Sequence, residues 1–216
     1  MPPFTTATDP VAASFRRNRA LQVAVAVVAA FWIVAAIAPL DRRDWLLENL
    51  LVFVAAVAGY STYRRWPLSD LSYMLIAVFL TLHIVGAHYT YSKVPAGLWL
   101  QNAFDLSRNH YDRIVHFSFG LLITYPMIEA VRRWSGYRGR WNAVTALAIM
   151  VGASDLFEIA EWLIAITVSP QAATMYLGMQ GDPFDAEKDT AAAHVGAVIA
   201  LVMTQIAESR IGARSR

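Results

Sequence analysis

Six apolar runs, each about 17–28 residues long, leave this chain few folds to adopt. At a rise of 1.5 Å per residue, about 20 apolar residues cross the roughly 30 Å hydrocarbon core of a bilayer as one α-helix. The runs use most of the 216 residues, so no second folded unit fits beside them. We therefore predict an all-α fold, a polytopic membrane bundle of six transmembrane helices. The predicted spans are about 20–38, 45–62, 71–88, 112–131, 141–168 and 190–208.

The composition agrees with a membrane protein and excludes several other classes. Hydrophobic residues make up 57% of the chain and charged residues 16%, whereas soluble domains have about 45–50% and 25%. The net charge is +2, but the basic residues stand in short clusters between apolar runs, so nucleic acid is excluded as a partner. There is no cysteine, so a metal would have to be bound by histidine and carboxylate.

The basic residues predict how the chain crosses the bilayer. If both termini are cytoplasmic, 12 of the 18 basic residues lie inside, as the positive-inside rule requires. Pro39 directly after the first run favours a retained helix over a cleaved signal peptide. We expect a mobile cytoplasmic tail over 1–19, the transmembrane domain over 20–208 and a basic cytoplasmic tail over 209–216. The six basic residues left outside are Arg42, Arg43, Lys93, Arg108, Arg113 and Lys188.

Polar chemistry gathers at the outer side of this topology, with all five histidines and 12 of the 16 acids. A charge inside hydrocarbon costs at least about 2.5–3.5 kcal/mol, so such residues mark functional sites. Asp155, Glu158 and Glu161 are spaced i, i+3, i+6 and share one stripe of the fifth helix. Asp112 and His116 are spaced i, i+4, which lets both side chains reach one ion.

These residues predict one shared site with a divalent metal near the outer face. Imidazole and carboxylate ligands suit Zn, Mn or Fe, and the surplus of carboxylates also suits Mg, so the pattern does not distinguish these metals. The candidate metal ligands are His83, His116, Asp112, Glu158, Asp182, Asp185 and Asp189.

Structural roles are the alternative for each of these groups. Asp182, Asp185 and Asp189 could cap a helix, and Glu158 or Glu161 could form ion pairs with Arg108 or Arg113. His194 could be a packed core residue rather than a ligand. We expect the following residues to be solvated: His88, His110, Asp41, Asp44, Glu48, Asp105 and Glu187.

Four motifs resemble a known group of proteins. They are HIVGAHYTY at 83–91, RNHYDRIVHFSFG at 108–120, EIAEW at 158–162 and LGMQGDPFDAEKD at 177–189. In order and spacing they resemble the YjdF-type family of bacterial inner-membrane proteins. The resemblance implies a multi-pass protein of the bacterial inner membrane, and it carries no assigned biochemical activity.

A second, weaker resemblance is to the VanZ-like proteins. Their signature is an Asp-basic-x-x-His at a helix start, an acid on the next helix and a later Asp-rich segment. Here Asp112 to His116, then Glu158, then Asp185 to Asp189 and Gly196 stand in that order. This resemblance implies a role in the cell envelope and no particular reaction.

Three functions fit the pattern. The first is a metal-dependent hydrolase or transferase with Glu158, Glu161 and Asp112 as catalytic residues. Its substrate would be a lipid or lipid-linked envelope precursor from the bilayer. The second is a cation or proton binder or transporter, and the third is a non-catalytic envelope protein; protein partners are not predicted. The candidate substrate-binding residues of the enzyme are Arg108, Arg113, Lys188, Tyr89 and Tyr91.

Overall fold

The computed structural model describes Phe15, residues 18–168 and residues 179–214, and the regular secondary structure of this part of the chain is entirely helical. It contains seven helices, numbered here in chain order. They are α1 Arg19–Ala35, α2 Arg42–Tyr63, α3 Asp70–His88, α4 Pro95–Ala103, α5 Tyr111–Ser135, α6 Gly139–Ala165 and α7 Asp185–Arg214. The prediction of an all-α fold is therefore confirmed.

Five helices, namely α2, α3, α5, α6 and α7, are long and apolar enough to cross a membrane. Each overlaps one predicted span, as does the shorter α1 with its 17 residues. The count of six spans and the cytoplasmic position of both termini stay predictions. The tail before residue 15 and the loop over 169–178 lie outside the described residues.

Helix α1 runs beside α3 along its whole length. Asn18, which caps α1, donates to the Asp70 carboxylate at the start of α3 over 2.9 Å. At the other end, the His88 ring lies 2.9 Å from the carbonyl oxygen of Ala35. The long helices alternate in direction, so α2, α5 and α7 all begin at one end of the bundle. We call this the polar end and the opposite one the basic end.

Charged side chains and a glycine define the limits of α5. Asp112 stands in its first turn and Arg132 and Arg133 in its last, which suits the helix dipole at both ends. Gly136 ends the helix in the left-handed conformation, with φ of 73°, which glycine adopts without strain.

Helices α5 and α7 make the most extensive contact in the bundle. A Cβ atom on Gly120 would collide with the backbone of Ala193 and Ala197, and one on Gly196 would collide with the backbone of Phe117. Small residues let two membrane helices approach this closely. This close contact places Asp185 and Asp189 of α7 near Asp112 of α5.

A half-buried acid links two helices at the basic end. Glu129 on α5 accepts hydrogen bonds from the backbone N–H of Ser69 (2.9 Å), from the Ser72 hydroxyl (2.6 Å) and from Arg133 (2.8 Å). It thereby satisfies donors at the start of α3. This acid has a structural role and lies far from the polar end.

Candidate metal centre

His116 lies between two carboxylates on two different helices. Its Nε2 is 3.5 Å from Oδ1 of Asp112, one turn earlier on α5, and 3.4 Å from Oε1 of Glu158 on α6. Asp112, His116 and Glu158, three of the predicted site residues, therefore lie together. The i, i+4 spacing of the first two and the acidic stripe on α6 predict such a contact.

Three aspartates form a second part of the same cluster. Asp112, Asp185 and Asp189 each present an oxygen within 4.8 Å of the other two. Oxygens on opposite sides of a hard cation are about 4–5 Å apart, since metal–oxygen bonds measure roughly 2.0–2.6 Å. The spacing is therefore compatible with a bound ion. We call Asp112, His116, Glu158 and Asp189 the carboxylate centre, and Asp185 borders it.

Asp189 is the most informative member of this centre. Its side chain is buried, with the residue only 3% exposed, and its Oδ1 has no hydrogen-bond partner within the described ranges. Its ion-pair partner among the described residues is Arg113, whose Nε lies 3.7 Å from Oδ1. Oε1 of Glu158 is likewise buried and without a hydrogen bond there. Buried polar atoms normally have a hydrogen-bond partner, so these two oxygens are exceptions among the described residues.

The basic residues predicted to bind substrate form ion pairs beside the centre. Arg108 is buried and donates hydrogen bonds to both carboxylate oxygens of Asp185, with Nη2 3.0 Å from Oδ2. Nη2 of Arg113 is 2.6 Å from Oδ2 of Asp182 and 3.0 Å from Oδ1 of Asp185. Lys188 also contacts Asp182, at 2.6 Å. All three cations are therefore paired with acids of the protein itself.

Asp182 therefore lies at the rim rather than in the carboxylate centre. Its hydrogen bonds from Lys188 and then Arg113 hold the pKa of the Asp182 carboxyl below its usual range. The alternative in which Glu158 or Glu161 forms ion pairs with Arg108 or Arg113 is not seen among the described residues, where both arginines pair with acids of the 182–189 segment.

His83, a predicted ligand, lies in a separate buried cluster with both ring nitrogens hydrogen-bonded. Nε2 is 2.9 Å from the carbonyl oxygen of Glu48 and Nδ1 is 2.5 Å from the hydroxyl of Tyr91. A carbonyl oxygen only accepts, so Nε2 carries the proton and Nδ1 accepts from Tyr91. Neither nitrogen is available to a metal in this arrangement.

Of the two tyrosines predicted to contact substrate, Tyr91 is buried and Tyr89 is half-buried. Burial raises the pKa of the Tyr91 hydroxyl well above its ordinary value, so it remains a neutral donor to His83. Tyr89 packs edge-on against His88, with ring centroids 4.5 Å apart. Gly86 makes room for Tyr91, because a Cβ there would strike the ring at 2.5–2.9 Å. The motif at 83–91 thus specifies a local packing unit.

Asn109 organises the loops that carry Arg108 and begin α5, a role not identified from the sequence. Its Nδ2 donates to the carbonyl oxygens of Ser92 and Val94 over 3.0 and 3.1 Å. Its backbone N–H and carbonyl pair with the side-chain amide of Gln180 over 3.0 and 2.9 Å. A buried asparagine within a polar motif is the signal that could have identified it.

Asp44 and Glu48 are buried, so the expectation that both are solvated is wrong. They are 6% and 4% exposed, because the first turns of α2 pack against the end of α3, where the Leu40 N–H donates to the carbonyl of His88 over 3.1 Å. Their i, i+4 spacing matches that of Asp112 and His116, and this was the missed signal.

The other histidines lie outside the carboxylate centre. His194 pairs with Asp155 at 3.2 Å, deeper between α6 and α7. Nδ1 of His110 is 3.3 Å from Nη1 of Arg113. Burial, followed by the charges of Arg113 and Arg108, lowers the pKa of His110.

The fold and this site define a class: a polytopic helical membrane protein with a buried carboxylate and histidine cluster at one end. Residues 20–210 match the family described as "Predicted membrane protein (DUF2238)", and the chain belongs to this family. It is 35% identical over 163 residues to the Inner membrane protein YjdF of Escherichia coli (strain K12), which covers 75% of this chain and 78% of that protein. No solved structure matches the chain.

These comparisons confirm the YjdF-type resemblance of the four motifs. The matched region includes every residue of the carboxylate centre. The similarity to VanZ-like proteins is not shown, so a role in the cell envelope stays an expectation.

Proposed function

We propose that the carboxylate centre binds a divalent cation and that the protein uses it as a hydrolase or transferase on a lipid or lipid-linked substrate. The observation that carries the cation proposal is made at Asp189. Its buried Oδ1 lacks a hydrogen bond among the described residues, and its carboxylate presents an oxygen within 4.8 Å of one oxygen each from Asp112 and Asp185. A buried carboxylate oxygen without a hydrogen bond costs about 1–3 kcal/mol or more, and a cation between these oxygens would offset that cost.

The charges around the centre support the same proposal. Arg108, Arg113 and Lys188 make their closest contacts with Asp182 and Asp185. Among the described residues, the one ion pair that these cations make with an acid of the centre is the 3.7 Å contact between Arg113 and Asp189. His116 supplies at most one positive charge to its two carboxylate neighbours. A divalent ion would balance the remainder.

The donor set suits Zn, Mn, Fe or Mg, because it combines one imidazole with carboxylates. Such an ion would polarise an ester or phosphoester and lower the pKa of a bound water. Glu161 lies one turn along α6 from Glu158 and makes no hydrogen bond or ion pair with the described residues, so it is our candidate proton acceptor. The centre lies within the helix ends, which favours an amphiphilic substrate that enters from the bilayer.

A non-catalytic role is the second candidate, and the ion pairs favour it. Arg108 and Arg113 tie the start of α5 to the start of α7 through Asp185 and Asp182. Such networks can specify a bundle without any reaction. In that case the acids of the carboxylate centre would bind a cation or protons as part of the scaffold.

We also propose a multi-pass position in the bacterial inner membrane, with six spans and both termini cytoplasmic. The name of the YjdF relative supports the membrane, and the parallel course of α1 and α3 supports a sixth span. Arg132, Arg133 and Arg140 at the basic end support a cytoplasmic assignment of that end. Cysteine accessibility labelling at Asp105 and at Ser135 would test the assignment, and labelling of both from the same side would contradict it.

Metal analysis by mass spectrometry of the purified protein tests the cation. We expect a stoichiometric divalent metal in the wild type that is lost in His116→Ala and in Glu158→Gln. Asp105→Asn is the matched control, because this exposed acid lies outside every cluster. A wild type without metal in chelator-free buffer would contradict the proposal.

A panel of lipid esters and phosphoesters tests the reaction. Product release by the metal-loaded wild type, and its loss in Glu161→Gln with metal retained, would support an enzyme. Bound metal without turnover on any substrate of the panel would support the scaffold instead.

A further inference from the structure

A groove at the basic end lies at the opposite end of the bundle from the carboxylate centre. Its volume is about 350 Å³, which falls in the range of small-molecule sites, about 300–1,000 Å³. On α5 its lining residues extend from Met127 to Trp134, roughly 10 Å along the helix axis. Residues of α2, of α6 and of the segment between α2 and α3 form the other walls, namely Thr62, Trp66, Leu68 and Ile149.

The groove presents almost no polar group to a ligand. The hydroxyl of Thr62 already donates to the carbonyl oxygen of Ala58 over 2.6 Å. Apart from the thioether of Met127 and the two tryptophan rings, the remaining lining side chains are aliphatic. Helices α2, α5 and α6 are all long and apolar enough to cross a membrane. A groove of this composition between such helices suits an acyl chain better than a water-soluble ligand, because it removes apolar surface from water.

Two tryptophans place the groove at the level of the membrane interface. Trp66 follows the end of α2, and Trp134 lies in the last turn of α5 and is 67% exposed. Tryptophan at an interface keeps its ring among acyl chains and its N–H toward the headgroups. Neither indole N–H makes a hydrogen bond with the described residues. Both can therefore donate to the ester or phosphate oxygens of a lipid.

Two arginines without an acidic partner adjoin the groove. Arg64 and Arg65 directly precede Trp66, are exposed and form no ion pair with the described residues. The guanidinium of Arg65 lies 4.9 Å from the centroid of the Trp66 ring, so one charge stands beside the groove wall. By contrast, Arg132 and Arg133 are paired with acids of α7 and α5. The charges of Arg64 and Arg65 therefore complement an anion that comes from outside the described chain.

We propose that this groove binds a phospholipid with an anionic headgroup, with one acyl chain in the groove and the phosphate against Arg64 and Arg65. Basic pockets between membrane helices recognise anionic headgroups in this way. A zwitterionic lipid binds more weakly, because its own cation competes with the arginines for the phosphate. The groove shares no residue with the carboxylate centre, so either site can fail alone.

Native mass spectrometry of the detergent-purified protein, titrated with phosphatidylglycerol or with phosphatidylcholine, counts the bound lipids and gives their affinities. The wild type should bind one phosphatidylglycerol and prefer it to phosphatidylcholine. The double variant Arg64→Gln, Arg65→Gln should bind phosphatidylglycerol roughly tenfold more weakly.

A second pair of arginines provides the matched control. Arg138 and Arg140 are exposed at the same end and form no ion pair with the described residues, but neither adjoins a groove residue in the chain. The double variant Arg138→Gln, Arg140→Gln removes the same charge and should bind phosphatidylglycerol as the wild type does.

A substitution that fills the groove tests the acyl chain separately from the headgroup. Ala130 lines the groove, so Ala130→Leu occupies it and leaves every arginine in place. This variant should also lose the bound phosphatidylglycerol. Thr62→Phe serves in its place if circular dichroism shows that Ala130→Leu does not fold.

Four outcomes would overturn the proposal. The first is a wild type that binds no phosphatidylglycerol or binds both lipids equally. The second is an equal loss in the Arg138 and Arg140 variant, which would show only a general attraction to negative charge. The third is unchanged binding in the variant that fills the groove. The fourth is a lipid-free dimer that Ala130→Leu abolishes, because a second copy of the chain would then occupy the groove.

Discussion

Breaking the buried ion pair between Arg108 and Asp185 should destabilise the bundle strongly, and the cost should depend on which of the two residues is replaced. Both side chains are 5% exposed, and removal of one partner from a buried ion pair costs about 3–5 kcal/mol. In Arg108→Met, Asp185 keeps a contact with Arg113 at 3.0 Å. In Asp185→Asn, Arg108 keeps the carbonyl oxygen of Met179 at 3.2 Å and the Asp182 carboxylate at 3.8 Å. We therefore expect Asp185→Asn to cost more than Arg108→Met.

A double-mutant cycle measures the coupling directly. Unfolding in mixed micelles of increasing denaturing detergent, followed by tryptophan fluorescence, gives the free energy of each variant. The double variant should cost less than the sum of the single ones, because no unpaired charge remains at that pair. Single substitutions that each cost below about 1 kcal/mol would refute this account, since exposed pairs contribute that little.

Three further predictions use the same unfolding assay. Tyr91→Phe leaves Nδ1 of the buried His83 without its donor and should cost about 1–3 kcal/mol. Gly196→Ala should cost about 1–3 kcal/mol, because the added methyl meets the backbone of α5. The lowered pKa of His110 means that the folded state favours the neutral ring beside Arg113. The stabilising contribution of the neutral ring is fully present above the unfolded pKa of about 6.5 and is lost as the pH falls below it. The wild type should therefore lose more stability than His110→Asn between pH 7.5 and about 5.

Matched controls make these outcomes decisive. Tyr89→Phe removes a hydroxyl that makes no hydrogen bond with the described residues, and it should be neutral. Gly59→Ala adds a methyl where nothing lies within 4 Å, so it should not destabilise. A cost as large as that of Tyr91→Phe or Gly196→Ala in these controls would contradict the packing argument, and equal pH profiles for wild type and His110→Asn would contradict the titration argument.

The long helices were predictable because hydrocarbon sets their length. A span of about 20 apolar residues is visible without knowledge of any neighbour, and each predicted span overlaps a helix. The limits moved where polar residues extend a helix beyond the apolar run. The run from residue 190 begins as a helix at Asp185, since acids in the first turn interact well with the helix dipole.

The grouping of the site residues was only partly predictable. Asp112 and His116 share a helix face by spacing alone, but the contact with Glu158 depends on which helices are neighbours. The placement of His83 depends on Tyr91, whose backbone has a positive φ of 49° in the turn after α3. The sequence around Tyr91 does not predict a turn with a positive φ at this residue. The burial of Glu48 also depends on packing between α2 and α3, so its apparent position near a helix end was misleading.

The most direct test of the central claim is whether a bound metal has His116 as a ligand. Pulsed electron paramagnetic resonance of the Mn²⁺-loaded protein detects the coupling of a coordinated imidazole nitrogen. The coupling should be present in the wild type and in His194→Gln, and absent in His116→Ala. A coupling that persists in His116→Ala, or a wild type that binds Mn²⁺ without any nitrogen coupling, would contradict the carboxylate centre described here.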